Sequence, residues 1–263
     1  MSDLMEMILV DIYYYALPVF YVAAAVFGIL IFTGKTKSVR FLGLAAFVSA
    51  LGNIGAKIMD LFKMASVEKA YKLVVPMNIA GLIIGLITTV CICIFIHKNY
   101  GKKYIYALIL SIYLGTTVLG IIMPVVLSRF ASSSGLKGEE MVYWIEMLNG
   151  ISSFLLGSVN SIILIAVLFQ NRKTEKVIPH YWLVRLITYI WSIITVVLSS
   201  AGWRLLIEAE DHTALFKAQD FRDLIQVSSG FFSALIALAV PLYIFVASKK
   251  AARLQYAGQE ETV

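Results

Sequence analysis

Apolar residues gather into seven long runs: Ile8–Thr33, Phe41–Phe62, Leu73–Ile96, Tyr104–Leu127, Val142–Phe169, Tyr181–Leu206 and Leu224–Ser248. Short polar connections separate them. Each run is long enough to cross a hydrocarbon core ~30 Å thick, which takes about 20 helical residues at ~1.5 Å rise. Lipid offers no hydrogen-bond partner, so a crossing must satisfy its own backbone, as a helix does. The short alternating segments of a β-barrel are absent from the sequence. The pattern predicts an all-α, polytopic bundle of seven transmembrane helices over residues 1–248, with a short cytoplasmic tail at 249–263.

The connections differ in charge. Lys35, Lys37 and Arg40, then Lys98, Lys102 and Lys103, then Arg172, Lys173 and Lys176 occupy every second one, and the tail adds Lys249, Lys250 and Arg253. The other side holds Asp3, Glu6, Glu68, Glu139, Glu140, Glu208, Glu210, Asp211 and Asp220, mixed with bases such as Lys63, Arg129 and Lys217. Cytoplasmic loops carry the excess of Lys and Arg. The N-terminus is therefore expected outside and the C-terminus in the cytoplasm. The first seven residues contain two acids and no base, the reverse of a secretory leader, so the first run should remain as an inserted helix.

Composition agrees. The chain is 60% hydrophobic and 14% charged, against about 25% charged in soluble domains. Mean hydropathy is +0.86. The net charge of +6 does not point to nucleic acid, because the basic residues sit at the ends of the runs, where they serve topology and anionic headgroups. Several runs close on an aromatic and then a base (Phe32-Thr-Gly-Lys35, Phe95-Ile-His-Lys98, Phe169-Gln-Asn-Arg172, Phe245-Val-Ala-Ser-Lys249), as expected at an interface where the base snorkels.

Enzyme chemistry finds little to build on. Cys91 and Cys93 are two apart on a helix and do not face each other; His97, His180 and His212 lie at run ends without metal-ligand spacing. No Gly-x-Ser-x-Gly or phosphate loop occurs, and the last run has no lysine to carry retinal. The reading is of a protein that is not an enzyme and needs no cofactor.

Polar residues inside the runs carry the functional signal, since they are expensive in lipid and face the bundle interior, a partner or a wet cavity. Asn53, Lys57 and Asp60 share one face of the second run, and Glu146, Asn149, Ser153, Gly157 and Asn160 form a stripe down the fifth. Ser200, Arg204 and Glu208 repeat every four residues, the last run adds Asp223, Gln226, Gly230 and Ser233, and Asp11 and Asn78 come from the first and third. Nearly all fall in the expected outer half. The expected inner halves (Val22–Ile31, Phe41–Ala50, Ala234–Val240) are almost wholly apolar or small.

Four stripes at similar depth predict an outward vestibule lined by Asn53, Lys57, Asp60, Asn78, Glu146, Asn149, Ser153, Asn160, Arg204 and Gln226. Around it acids (Asp11, Asp60, Glu146, Glu208 and Asp223) outnumber bases (Lys57 and Arg204), which favours a cationic or zwitterionic small molecule or ion. Ordinary roles compete: Lys57–Asp60 as a self-neutralising pair, Arg204–Glu208 as a helix-end pair, and the glycines as packing residues. Transport is the leading expectation, with Pro18, Pro76, Pro124 and Pro241 as points where helices break or kink. The alternatives are a sensor working through a separate cytoplasmic partner and a subunit of a membrane assembly. Homo-oligomerisation stays open. The absence of Asn-x-Ser/Thr sequons fits a bacterial plasma membrane.

Overall fold

The structure is a computed structural model that describes residues 16–65, 67–101, 139–173, 175–209 and 212–260, with single positions at 126, 129 and 133. Side chains are described over less of it, the exceptions including 59–75, 77–79 and most of 139–160. Among the described residues the regular structure is entirely helical. Helix α1 is Leu17–Thr33, and a single 3-10 turn at Lys37–Val39 leads into α2, Arg40–Ala65. Then come α3 (Val67–Tyr100), α4 (Glu139–Gln170), α5 (Tyr181–Ile207) and α6 (His212–Glu260).

Four stretches within these helices are long and apolar enough to cross a membrane: Lys37–Ile58, Ile83–Tyr100, Tyr181–Ile207 and Thr213–Leu254. Leu17–Thr33 and Ser161–Gln170 are apolar but shorter within the described residues. The chain is thus a helical protein with membrane-spanning character. The fourth expected run, Tyr104–Leu127, lies outside the described residues apart from Val126, as does Asp11.

Helices α2, α4 and α5 end within about three residues of the expected runs. Helix α3 extends beyond Leu73–Ile96 at both ends, the start of the first run lies outside the described residues, and the last run differs most. The apolar run Leu224–Ser248 is only the middle of α6, whose 49 residues would extend roughly 70 Å. The flanking segments are polar yet rich in helix formers, such as Ala214–Ala218 and Ala251–Leu254, so the helix outruns its apolar part. Neither Pro76 nor Pro241 breaks its helix, and Pro18 sits in the first turn of α1, where its missing N–H costs nothing.

The described residues divide into two compact units. One comprises Tyr106–Gln170 and Trp182–Ser229, hence α4, α5 and the first part of α6. The other comprises Ser2–Ile105, Asn171–Tyr181 and Gly230–Val263, hence α1 to α3, the α4–α5 connection and the rest of α6.

In this second unit α2 packs against both α1 and α3. The α1–α2 crossing is unusually close because glycines meet there. A Cβ on Gly28 would lie 2.7 Å from the Phe47 amide nitrogen, and one on Gly43 would lie 2.7 Å from the Gly28 carbonyl oxygen. Ala24, Ala25 and Ala50 continue the small-residue contact, with Phe47 packed against them. Such residues let helix backbones approach where lipid supplies no hydrophobic driving force.

The opposite face of α1 is apolar too. Val19, Val22, Val26 and Ile29 are exposed at helical spacing, as are Ile187, Ile190, Ile194 and Val197 on α5. Continuous exposed stripes of this kind suit acyl chains rather than water. Hydroxyls inside the helices bond back to the preceding turn, as Thr188 does to Val184 O (2.9 Å), Ser192 to Thr188 O (3.0 Å) and Thr195 to Trp191 O (3.0 Å).

Candidate functional site

Helix α2 brings the first stripe together. Asn53 and Lys57 are half-buried one turn apart, and Asp60 follows on the same helix face with its side chain outside the described residues. Gly52, next to Asn53, lies against α3: a Cβ there would be 3.0 Å from Ile84 Cγ2. Asn78 belongs to α3, one and a half turns before Ile84, and its side chain is likewise outside the described residues. These four positions sit in the second unit.

The other six belong to the first unit. Glu146, Asn149, Ser153 and Asn160 are all within the unbroken helix α4, which keeps them on one stripe, but their side chains lie outside the described residues. On α5, Arg204 Nε donates to Glu208 Oε1 at 2.7 Å, one turn on, with the two side chains 74% and 55% exposed. The bond closes the last turn of the helix, where a base also meets the negative end of the helix dipole. Gln226 is exposed on α6, and so is Asp223. Between these helices Arg222 lies over the Trp203 ring, 4.0 Å from its centroid, while Gly202 is buried against the Arg222 backbone.

The exposure of the Arg204–Glu208 pair gives a direct test of its weight. Arg204→Gln should leave the melting temperature of the purified protein unchanged, because exposed pairs gain little over their hydrated partners. If the same variant abolished function, Arg204 would be acting on a ligand rather than on its helix.

The best-defined polar arrangement lies elsewhere, at the lysine- and arginine-rich end of the second unit, and composition did not single it out. Four chain segments converge there. In the α1–α2 turn, Gly34 O accepts from Arg40 Nε and Nη2 at 3.3 and 3.2 Å, and Thr36 Oγ1 donates to Ser248 O on α6 at 3.3 Å. At the end of α3, Asn99 Nδ2 donates to Ser38 O at 3.1 Å and to Phe95 O at 2.8 Å. Tyr100 Oη donates to Glu175 Oε2 at 2.5 Å, and Glu175 Oε1 accepts from the amides of Val177 (2.9 Å) and Ile178 (3.2 Å). The His180 amide donates to Tyr243 Oη of α6 at 3.1 Å.

Local sequence explains this end. Gly101 takes φ +96°, a left-handed conformation that suits glycine, and so stops α3 at Tyr100. Phe95 is fully buried and meets the Tyr100 ring edge-on at 5.7 Å. Lys98 reaches over Phe41 and Lys249 over Phe245, each 4.5 Å from the ring centroid. One signal in the sequence marked the spot: Glu175 is a lone acid between Arg172, Lys173 and Lys176.

No protein-family model, curated protein or solved structure matches this chain. Its function must be read from its own residues.

Proposed function

We propose that this chain is a seven-span membrane protein that moves a small molecule across a bacterial plasma membrane by alternating access, with its N-terminus outside. It acts without a cofactor and not as an enzyme. The observation that carries the reading is the half-buried Asn53–Lys57 step inside α2, a helix otherwise apolar enough to span lipid. Ionisable groups at such places are costly and serve pathways or ligands.

Chain direction supports the span number. The α1–α2 turn, the end of α3, the α4–α5 connection and Ser248 of α6 all meet at one end of the second unit through the hydrogen bonds above. If α4 crosses the membrane to return to the end where α3 finished, one further crossing is needed between Gly101 and Glu139. The sequence offers Tyr104–Leu127 for it. With α1, α2, α3, α4, α5 and α6 the sum is seven. The basic residues at that common end favour the cytoplasm for it.

The substrate favoured by the predominance of acids along the stripes (Asp60, Glu146, Glu208, Asp223 against Lys57 and Arg204) is a cation or a zwitterion. The sensor reading has one observation in its favour, the glycine-tight α1–α2 crossing in the half nearer the basic end. A sensor would need a separate partner on the basic loops.

Cysteine accessibility separates the two. In a Cys91→Ser, Cys93→Ser chain, Asn149→Cys, Ser153→Cys and Asn160→Cys are each treated with an impermeant thiol reagent from either side. Transport predicts that Asn149→Cys and Asn160→Cys react from both sides. Reaction from outside alone, fading with depth, turns the reading to a sensor. Silence from both sides removes the cavity.

A further inference from the structure

At the basic end of the second unit, hydrogen bonds gather lysines that lie far apart in the sequence. Thr36 Oγ1 donates to Ser248 O at 3.3 Å, and Asn99 Nδ2 donates to Ser38 O at 3.1 Å. Lys37 stands between Thr36 and Ser38, Lys98 precedes Asn99, and Lys249 follows Ser248. Each of the three is therefore the chain neighbour of a bonded residue. All three belong to the same unit, and all three are exposed.

The surrounding segments hold little to balance these charges. Residues 34–40, 95–101, 171–181 and 248–253 together contain a single acid, Glu175. Its Oε2 accepts from Tyr100 Oη and its Oε1 from the Val177 and Ile178 amides, so the carboxylate is taken up within the fold. Like charges held together repel, and a bound anion would relieve that repulsion.

The lysines also sit at a defined depth. Lys37 opens the apolar stretch Lys37–Ile58, and Lys98 stands near the close of Ile83–Tyr100. Lys98 Nζ lies over the Phe41 ring and Lys249 Nζ over the Phe245 ring, each 4.5 Å from the centroid. An aromatic with a base reaching past it marks the headgroup level of a bilayer. Leu242 and Val246, one and two turns before Lys249, are exposed and apolar. Phosphate-binding charge next to an acyl-binding flank suits a phospholipid better than a soluble anion.

We propose that Lys37, Lys98 and Lys249 form a binding site for an anionic phospholipid, with a headgroup of two phosphates preferred over one. Three ammonium groups exceed the charge of one phosphodiester, and basic clusters at the ends of membrane helices recruit such headgroups. The inference needs only that the chain lies in a bilayer, and it holds for a transporter and a sensor alike.

The test heats the purified full chain in detergent with added phosphatidylcholine, phosphatidylglycerol or diphosphatidylglycerol, the two anionic lipids at matched phosphate. Diphosphatidylglycerol should raise the melting temperature most and phosphatidylcholine least. Equal shifts with all three lipids overturn the site, and equal shifts with the two anionic lipids overturn the preference for two phosphates. Lys37→Gln, Lys98→Gln and Lys249→Gln together should weaken the apparent affinity for diphosphatidylglycerol about tenfold or more. Lys173→Gln, Lys250→Gln and Arg253→Gln together remove the same charge from other exposed positions of this end and should weaken it far less. Equal loss in the two triple variants overturns the site, because net charge alone then holds the lipid. Arginine at Lys37, Lys98 and Lys249 should keep the binding, and its loss there would overturn a role for their charge. Pyrophosphate in place of lipid should give no shift; a shift equal to that of diphosphatidylglycerol would assign the lysines to soluble phosphates instead.

Discussion

Gly28→Val and Gly43→Val are each expected to lower the melting temperature of the purified protein by about 10 °C, from a loss of about 3 kcal/mol. The cause is geometric. At Gly28 the first added carbon would meet the Phe47 amide nitrogen at 2.7 Å and the Gly43 carbonyl oxygen at 2.9 Å. At Gly43 it would meet the Gly28 carbonyl and the Phe32 nitrogen, both at 2.7 Å. These are backbone atoms of a facing helix, so no side chain can turn aside, and the two helices must separate. Separation also opens the contact of Ala24, Ala25 and Ala50 with Phe47. Gly81→Ala and Gly85→Ala provide the control. A Cβ at either meets nothing within 4 Å, and α3 should gain up to about 1 kcal/mol each from the better helix former. Heating the four variants in detergent and following the monodisperse fraction gives the comparison. Equal melting of Gly28→Val and Gly81→Ala would mean that α1 and α2 do not cross at these glycines.

That crossing was not legible in the sequence, and the reason is physical. Val22–Ile31 and Phe41–Ala50 are apolar on every side, so hydrophobic periodicity is silent about which face meets protein and which meets lipid. Residue size marks part of the difference: Ala24, Ala25 and Gly28 turn inward, while Val22, Val26 and Ile29 turn out. Gly157 and Gly230 drew attention as packing residues because they interrupt polar stripes. Gly28 and Gly43 sit among aliphatic neighbours and drew none.

Helix positions were legible for the opposite reason. A backbone in lipid must bond to itself, so apolar length translates directly into helix, and α5 begins at the expected residue and ends one beyond. The rule has no force in water. There α6 runs on past Ser248 to Glu260, governed by helix propensity rather than by apolar length. The candidate site was legible only as stripes on separate helices. Asn53 and Lys57 keep their shared face on α2, while the remaining stripes lie on other helices. Spacing within a helix follows from 3.6 residues per turn; assembly between helices does not.

The basic end shows a third kind of limit. Glu175 was passed over among Arg172, Lys173 and Lys176, and nothing in its neighbours named Tyr100, 75 residues earlier, as its donor. Aromatics at the ends of membrane helices are common at headgroup depth, so Tyr100 and Tyr243 resemble ordinary anchors until their hydroxyls are traced. The two ends of α2 thus differ in kind. Gly43 to Ala50 is the closely packed half, and Asn53 to Asp60 is the polar half.

Phe95→Ala is expected to be the most damaging single truncation at that end, at about 3–5 kcal/mol. Phe95 is 0% exposed, beside the equally buried Ile96 and one turn after buried Cys91. Its removal leaves a cavity that a helix ending firmly at Gly101 cannot close by sliding. The Tyr100 ring also loses its edge contact at 5.7 Å, and with it the orientation that aims its hydroxyl at Glu175. Phe95→Leu fills most of the space and should cost about 1.5 kcal/mol or less. Thermal unfolding in detergent measures the stability difference, and thiol reactivity at Val177→Cys in a Cys91→Ser, Cys93→Ser chain reads the Tyr100–Glu175 bond, because Glu175 also holds the Val177 amide. Phe95→Ala should change both, and Phe95→Leu the reactivity more than the stability, since a leucine supports the core without an aromatic edge. A Phe95→Ala chain that melts like the parent but reacts faster at Val177→Cys would show that Phe95 serves the Tyr100–Glu175 bond and not the core.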